Sequence, residues 1–317
     1  MSTTPSTEVL SQQEQPPWVS RAAFPLLVAI YFVTEAALLT SVYLGAIWIS
    51  VLLMLFVSHL MHGMLIAFHE ATHGLLRKNR RLNEIDGMII GVMSFMSFNL
   101  YRAAHQLHHA HLATQKDEEL WPFDIPGTPR WLRVVCAVLE LMVGMFYTPF
   151  LFVRTFFRKG SPIRNTKLRR KIWLEFVLMV VAWVCILCAV TITGTWKYFL
   201  WLYVAPAFLA ANMQSWRKYI EHVGLTGSTV NGSTRSIIAE GPLGKFVALT
   251  LLHEPFHGVH HWRSGIPHAE LPLFASALVP KNPEEMAPFP SYWHAFKHLF
   301  RNLANPRVGS QWLTTTS

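Results

Sequence analysis

The sequence predicts an all-α membrane protein: about four transmembrane helices in two hairpins, with a cytoplasmic His-rich cap and interfacial helices. Three observations carry this. The 317 residues are 52% hydrophobic and only 14% charged, where a soluble domain carries about a quarter charged residues. The apolar residues fall into runs near the roughly 20 needed to cross a bilayer. Three histidine clusters sit between or just beyond these runs, at spacings that put imidazoles on one face of a helix.

Taken in order, residues 1–20 are rich in Ser, Thr, Gln and Pro, the composition of a disordered tail. No charged n-region with a small-residue cleavage site precedes the first apolar run, so a cleaved leader is not expected. The domain is placed at 21–305, with a C-terminal tail over 306–317. Spans are expected at Phe24 to Leu44 and Ile47 to Phe68, joined by almost nothing polar. The second runs straight into His69 and then the basic run Arg77 to Arg81, which places the cluster at the cytoplasmic end. Met88 to Leu100 is too short to span. Trp131 to Val153 is longer but contains Glu140 and Pro149, and is read as a partly embedded interfacial helix. Ile172 to Thr193 and Tyr198 to Met213 then form a second hairpin, the arrangement that lets all three clusters meet on one side.

The formal charge of +9 is gathered beside apolar runs, at Arg77 to Arg81 and Arg154 to Lys171. That is the pattern of cytoplasmic loops, and no module for reading nucleic acid accompanies it. The three cysteines, Cys136, Cys185 and Cys188, lie inside apolar runs and argue against a disulfide framework.

The clusters are His69/His73 (i, i+4), His105/His108/His109 (i, i+3, i+4) and His257/His260/His261 (i, i+3, i+4). Neutral imidazole suits Zn, Cu, Fe and Ni. Eight histidines are too many for one tetrahedral zinc and divide naturally between two metals of higher coordination number. His222, in Tyr219-Ile220-Glu221-His222-Val223-Gly224-Leu225, offers a ninth nitrogen. Glu70, Glu221 and Glu254 each flank a ligand candidate and are read as carboxylates that orient imidazoles, with solvated loop positions as the alternative. His253 is held in reserve as a substitute for His257. His59 and His62 share a helical face with His69 and His73; a polar helix–helix contact is the favoured reading, and lining of a substrate channel the functional one. His111, His268, His294 and His298 are given no ligand role.

These motifs resemble the histidine boxes of the membrane fatty-acid desaturase and hydroxylase superfamily, the non-haem di-iron enzymes. The pattern HxxxH, HxxHH, HxxHH and its separations are met over roughly residues 25–305. The segment around His222 is similar to one in the alkane-hydroxylase branch, where its histidine is a metal ligand. Leu271-Pro272 after Gly265-Ile266-Pro267-His268 resembles a stretch of acyl-lipid desaturases. The resemblance implies two iron ions, O₂, a lipid or acyl-chain substrate, and electrons from a ferredoxin, rubredoxin or cytochrome b5-type donor. It implies C–H abstraction, with a C=C double bond the favoured outcome and an alcohol the alternative. The basic residues Arg77, Arg80, Arg81, Arg102 and Arg169 would in addition steer an acidic electron carrier.

Two other classes compete. His69-Glu70-Ala71-Thr72-His73 is also the HExxH of zinc metalloproteases, with Glu70 as general base, but that reading leaves both HxxHH boxes idle. A metal transporter would carry its ligands near the bilayer midplane, whereas these lie at helix ends and in polar loops.

Overall fold

The computed structural model describes residues 15–313. Most of the tail read at 1–20 therefore lies outside the described residues, as do residues 314–317. The short helix α1 (Trp18–Arg21), with Ser20 buried, falls largely within the stretch read as tail. The fold is all-α; among the described residues the only β features are two isolated bridges, Leu225 with Val308 and Ile237 with Phe289.

Helix α2 (Ala23–Tyr43) turns at Gly45 into α3 (Ile47–His73), and the two pack as an antiparallel pair. Helix α3 ends on the last residue of the first histidine box. Gly74 adopts φ +78°, its N–H donates to Ala71 O, and Leu75 N donates to Glu70 O. This left-handed cap favours glycine and stops the helix with His69 and His73 on its last turn. Asn79 then caps α4 (Arg80–Met93), and Ser97 caps α5 (Phe98–Ala110), which carries the second box. The run Met88 to Leu100 is thus split between two helices by Ser94–Ser97 and forms no span.

Helix α6 (Arg130–Phe157) bends at Val143, where φ/ψ is −135°/43°. The bend frees backbone groups, and Asn212 takes both: its Oδ1 accepts from Gly144 N at 2.8 Å and its Nδ2 donates to Met142 O at 3.1 Å. Helix α7 (Thr166–Thr193) leads through α8 (Trp196–Phe199) and the wider π turn Leu200–Val204 into α9 (Ala205–His222). The cap is completed by α10 (Val230–Ser233), α11 (Gly241–Thr250), α12 (His257–Trp262) and α13 (Tyr292–Leu303).

Among the described residues, four helices are long and apolar enough to cross a membrane: α2, α3, α6 and α7. One member differs from expectation. The segment over Trp131 to Val153, read as interfacial, belongs to the set, while Tyr198 to Met213 does not. The physical reason lies in pairing. Glu140 is fully buried, ion-paired with Lys218 and accepting from Tyr219 Oη at 3.1 Å. Its charge is hidden, and the outer face of α6 is left apolar, with Trp131, Met142, Phe146 and Phe150 exposed. Helix α9 carries the partners for such charges, Asn212, Arg217 and Lys218, and so loses apolar character.

Residues 306–313, read as tail, pack into the fold. Val308 N and Trp312 Nε1 both donate to Phe123 O, and Gly309 N donates to Leu225 O.

Candidate metal centre

Three helix ends and one turn deliver the histidines. His69 and His73 close α3, His105, His108 and His109 close α5, and His222 closes α9. The third box forms α12 itself. Two close approaches hold these pieces together. A Cβ on Gly63 would lie 2.4 Å from Thr250 O, so only glycine lets α3 touch the end of α11 here. At the other end of the second box, Glu175 of α7 accepts from Asn99 N at 3.0 Å and from Ser97 Oγ at 2.5 Å, anchoring the start of α5.

The nitrogens converge in two groups. His69, His73, His105, His109 and His260 each offer a ring nitrogen, all within 4.8 Å of one another. Nε2 of His105 lies 3.0 Å from that of His73 and 3.0 Å from that of His109, which is 3.0 Å from that of His260. The second group joins His108, His222 and His261, with His257 Nε2 2.9 Å from His222 Nε2. The groups abut where the His109 and His261 rings stack with centroids 4.3 Å apart. Helical spacing sorts the boxes: one-turn pairs go to the same group (69/73, 105/109, 257/261), and the odd members, His108 and His260, cross to the other.

Carboxylates and a carbonyl hold the rings from behind. His105 Nδ1 donates to Glu119 at 2.8 Å, His108 Nδ1 to Asp117 at 2.8 Å, His257 Nδ1 to Glu254 at 2.9 Å, and His222 Nδ1 to Ser233 O at 3.2 Å. Each such bond fixes the tautomer and leaves Nε2 as the free donor atom. Arg217 ties the acids together, donating to Glu221 at 2.6 Å and to Glu254 at 3.0 Å. Glu254 reaches this place through a tight turn in which Leu252 and His253 both have positive φ, 49° and 55°. Such backbone is uncommon outside glycine and persists where surrounding structure imposes it.

Burial and the neighbouring imidazoles hold His105, His109, His257 and His261 well below the ordinary histidine range, and His260 is pushed down to about 3. Burial also lowers His108, but Asp117, with Glu119, more than reverses it and leaves this ring above its usual value. A positive charge on the far nitrogen is what Asp117 favours, and a metal ion there supplies one. Both ring nitrogens of His69 and of His261, and Nδ1 of His260, are buried with no hydrogen-bond partner. Buried polar atoms are normally paired. Nine mutually facing ring nitrogens, with several buried atoms unpartnered, fit two metal ions better than a hydrogen-bond network. Donor sets of five and four imidazoles suit transition metals rather than Mg or Ca.

The remaining sequence candidates fall as follows. Glu221 and Glu254 stand beside His257. Glu70 is fully buried in a cluster with His69 and Glu254, inside a five-nitrogen set where a HExxH protease needs only one further ligand. His253 turns away: its Nε2 is 3.1 Å from Ser20 Oγ, so it does not substitute for His257. His59 Nε2 is 2.7 Å from Thr250 Oγ1. Neither His59 nor His62 lines the cavity described next, and His59 ties α3 to α11. Asp117, Glu119, Arg217 and the Ser233 carbonyl were missed. The run Asp117-Glu118-Glu119, eight residues beyond the second box in a chain of only 18 acids, was the available signal.

An apolar cavity of about 480 Å³ lies beneath the five-histidine group, walled by α2, α3, α4, α6 and α9. Tyr101 separates the two. It lines the cavity and stacks on His105, with centroids 5.3 Å apart and planes 7° from parallel.

The sequence profile of the fatty acid desaturase family matches residues 44–293, a stretch containing all nine histidines. The chain belongs to the fatty acid desaturase family. It is 26% identical over 230 residues to the omega-3 fatty acid desaturase fat-1 of Caenorhabditis elegans, covering 66% of this chain and 55% of that protein. It is 24% identical over 225 residues to a fatty acid desaturase of Bacillus subtilis, covering 65% and 61%. The chain thus spans somewhat over half the length of these curated relatives.

Proposed function

We propose that this desaturase-family protein is an O₂-dependent oxidoreductase that introduces a C=C double bond into an aliphatic lipid chain, with two iron ions held by the nine histidines. The observation that carries this reading is the placement of the five-histidine group directly across Tyr101 from an apolar cavity, with the four-histidine group abutting it. A pocket of this size and character takes an aliphatic chain and offers it few polar partners. His69, His73, His105, His109 and His260 would hold one ion, and His108, His222, His257 and His261 the other. When bound, two iron ions would supply the means to reduce O₂ and the oxidising power for C–H abstraction.

The chain's own residues do the rest. Asp117, Glu119 and Glu254 orient imidazoles and balance the cationic charge. Arg217 keeps Glu221 and Glu254 in place. The apolar walls of the cavity hold the chain against Tyr101 and keep water from the reacting carbons. Electrons come from a separate carrier of ferredoxin, rubredoxin or cytochrome b5 type. The basic runs Arg77 to Arg81 and Arg154 to Lys171 support a multi-pass arrangement with the centre on the cytoplasmic side.

The test is a mass-spectrometric lipid profile of cells expressing the chain against cells expressing His108→Ala. The expected product is lighter than its parent by two hydrogen atoms and vanishes with the variant. A product heavier by one oxygen atom would replace desaturation with hydroxylation. Iron analysis of the purified protein should return two ions per chain; one zinc would overturn the assignment.

A further inference from the structure

The cavity has a side door. Part of its lining is buried, as at Phe24, Phe68, Met96, Tyr101 and Tyr203, and most of the rest is half-buried. Three lining residues are exposed: Phe32 of α2 at 65%, and Ile89 and Met93 of α4 at 59% and 36%. Residues that both line a cavity and face outward mark its rim. The rim therefore runs as a slot between α2 and α4. It opens on the lipid-facing side of a helix long and apolar enough to cross a membrane, not through the polar cap.

Helix α4 is shaped for this position. Its inner face is small, and a Cβ on Gly87 would lie 2.3 Å from the Phe98 ring, so the helix presses against the core. Its outer face carries Leu82, Ile85, Ile89 and Met93, all exposed, at helical spacing. An amphipathic helix with an apolar outer face and Arg80 and Arg81 at its start lies in the plane of a membrane surface. At the head of the slot stands Arg77, a cavity-lining residue whose side chain is 38% exposed. Asp86 pairs with its Nε and orients the guanidinium. Among the described residues no acceptor engages its terminal nitrogens, and these suit a phosphate.

We infer that the cavity is filled from the side by one acyl chain of a membrane phospholipid, threaded between Phe32 and Ile89, with the lipid phosphate held by Arg77. The second acyl chain stays in the bilayer along the outer face of α4. Charge complementarity selects this occupant: Arg77, Lys78, Arg80 and Arg81 stand where the phosphate must lie once the tail is in the slot. An acyl thioester dissolved in water would have to enter through the cap, where the cavity is closed by Tyr101 and Phe68. The inference rests on the acyl-chain reading of the cavity given above.

The test is photo-crosslinking of the full chain in phosphatidylcholine vesicles containing phosphatidylglycerol with a diazirine on one acyl tail. Labelled residues are mapped by mass spectrometry. The expected result is labelling of interior residues such as Met64 and Met145, together with rim residues. Arg77→Gln should cut interior labelling about fivefold, the worth of one basic residue at an anionic surface. Ile89→Trp should cut it severalfold by narrowing the slot, while Ile192→Trp, at the exposed end of α7 and away from the slot, leaves it unchanged. Interior labelling by a water-soluble acyl thioester carrying the same diazirine, with the phospholipid marking only outer residues, would overturn the proposal. That comparison uses unmodified protein and holds even where a variant fails to fold. Labelling needs neither iron nor O₂. A labelled cavity with no desaturated product therefore sinks the reaction alone, and product without phospholipid labelling sinks the side door alone.

Discussion

The two histidine groups are built by different means. The five-histidine group draws on α3, α5 and α12, and two of its rings, His73 and His109, are only partly buried. One of its imidazoles, His105, is held at short range by a carboxylate. The four-histidine group has fewer nitrogens, yet His108, His222 and His257 each have a hydrogen-bonded partner behind them, and Glu221 stands beside His222 and His257. Abundance of ligands secures the first group, and orientation of ligands the second. The difference teaches where each centre is vulnerable. Losing one nitrogen of five is cushioned by its neighbours, whereas losing one brace in the second frees a ring with few substitutes.

The comparison is broken most directly by removing a ligand from each group. His261→Ala is expected to abolish turnover and lower iron from two ions per chain toward one. His73→Ala is expected to abolish turnover while retaining more of its iron, as measured by metal analysis of the purified proteins. Equal iron loss in both would erase the distinction. Next in size is Asp117→Asn, which keeps the shape of the brace and removes its charge. Iron affinity or turnover should fall about 10- to 100-fold. Glu119→Gln should fall less, because its ring belongs to the group with a surplus nitrogen; a larger loss than at Asp117 would reverse the argument. The exchange rate of bound iron against a chelator reads both.

The smallest effect on chemistry is expected at Asp124, away from both groups. Burial, with Asp117 nearby, raises its carboxyl to about 8. The folded state therefore holds a proton that the unfolded state releases near the ordinary aspartate value of about 3.9. Its contribution favours folding most at low pH and is lost as pH rises from about 4 to about 8. Asp124→Asn should flatten that part of the unfolding-midpoint profile while leaving turnover at neutral pH unchanged. An unaltered profile would show that the carboxyl is already ionised in the fold.

Eight of the nine histidines were legible because helical spacing is a local property: residues three and four apart share a face whatever else the chain does, whereas His222 stands alone in the sequence and was singled out by its place beyond the last apolar run and the resemblance of its segment. The partition into groups of five and four was not, since it depends on how α5 and α12 cross. Asp117 and Glu119 were hidden for a different reason. A run of acids in a loop ordinarily faces water, and only the fold turns these two inward. The inward side of α6 was hidden on the same grounds: Glu140 sits in an apolar run, and its partner Lys218 lies 78 positions away. The cavity was invisible, because its walls come from five helices and no single one shows a pattern for it. Family membership and helical class, by contrast, were already written in the boxes and the apolar runs.

Tyr101 is a party wall. One face of its ring lies flat on His105, and its edges meet Phe68 and Phe152. Its exposure to the cavity means that whatever reshapes that end of the chamber also leans on an imidazole. The chamber and the five-histidine group cannot therefore be tailored one at a time: a mutation that makes room near Tyr101 shifts His105 in the same stroke. Freedom to change substrate preference without that penalty lies at the far end, around Tyr203 and Met93, where the lining touches no histidine of either group.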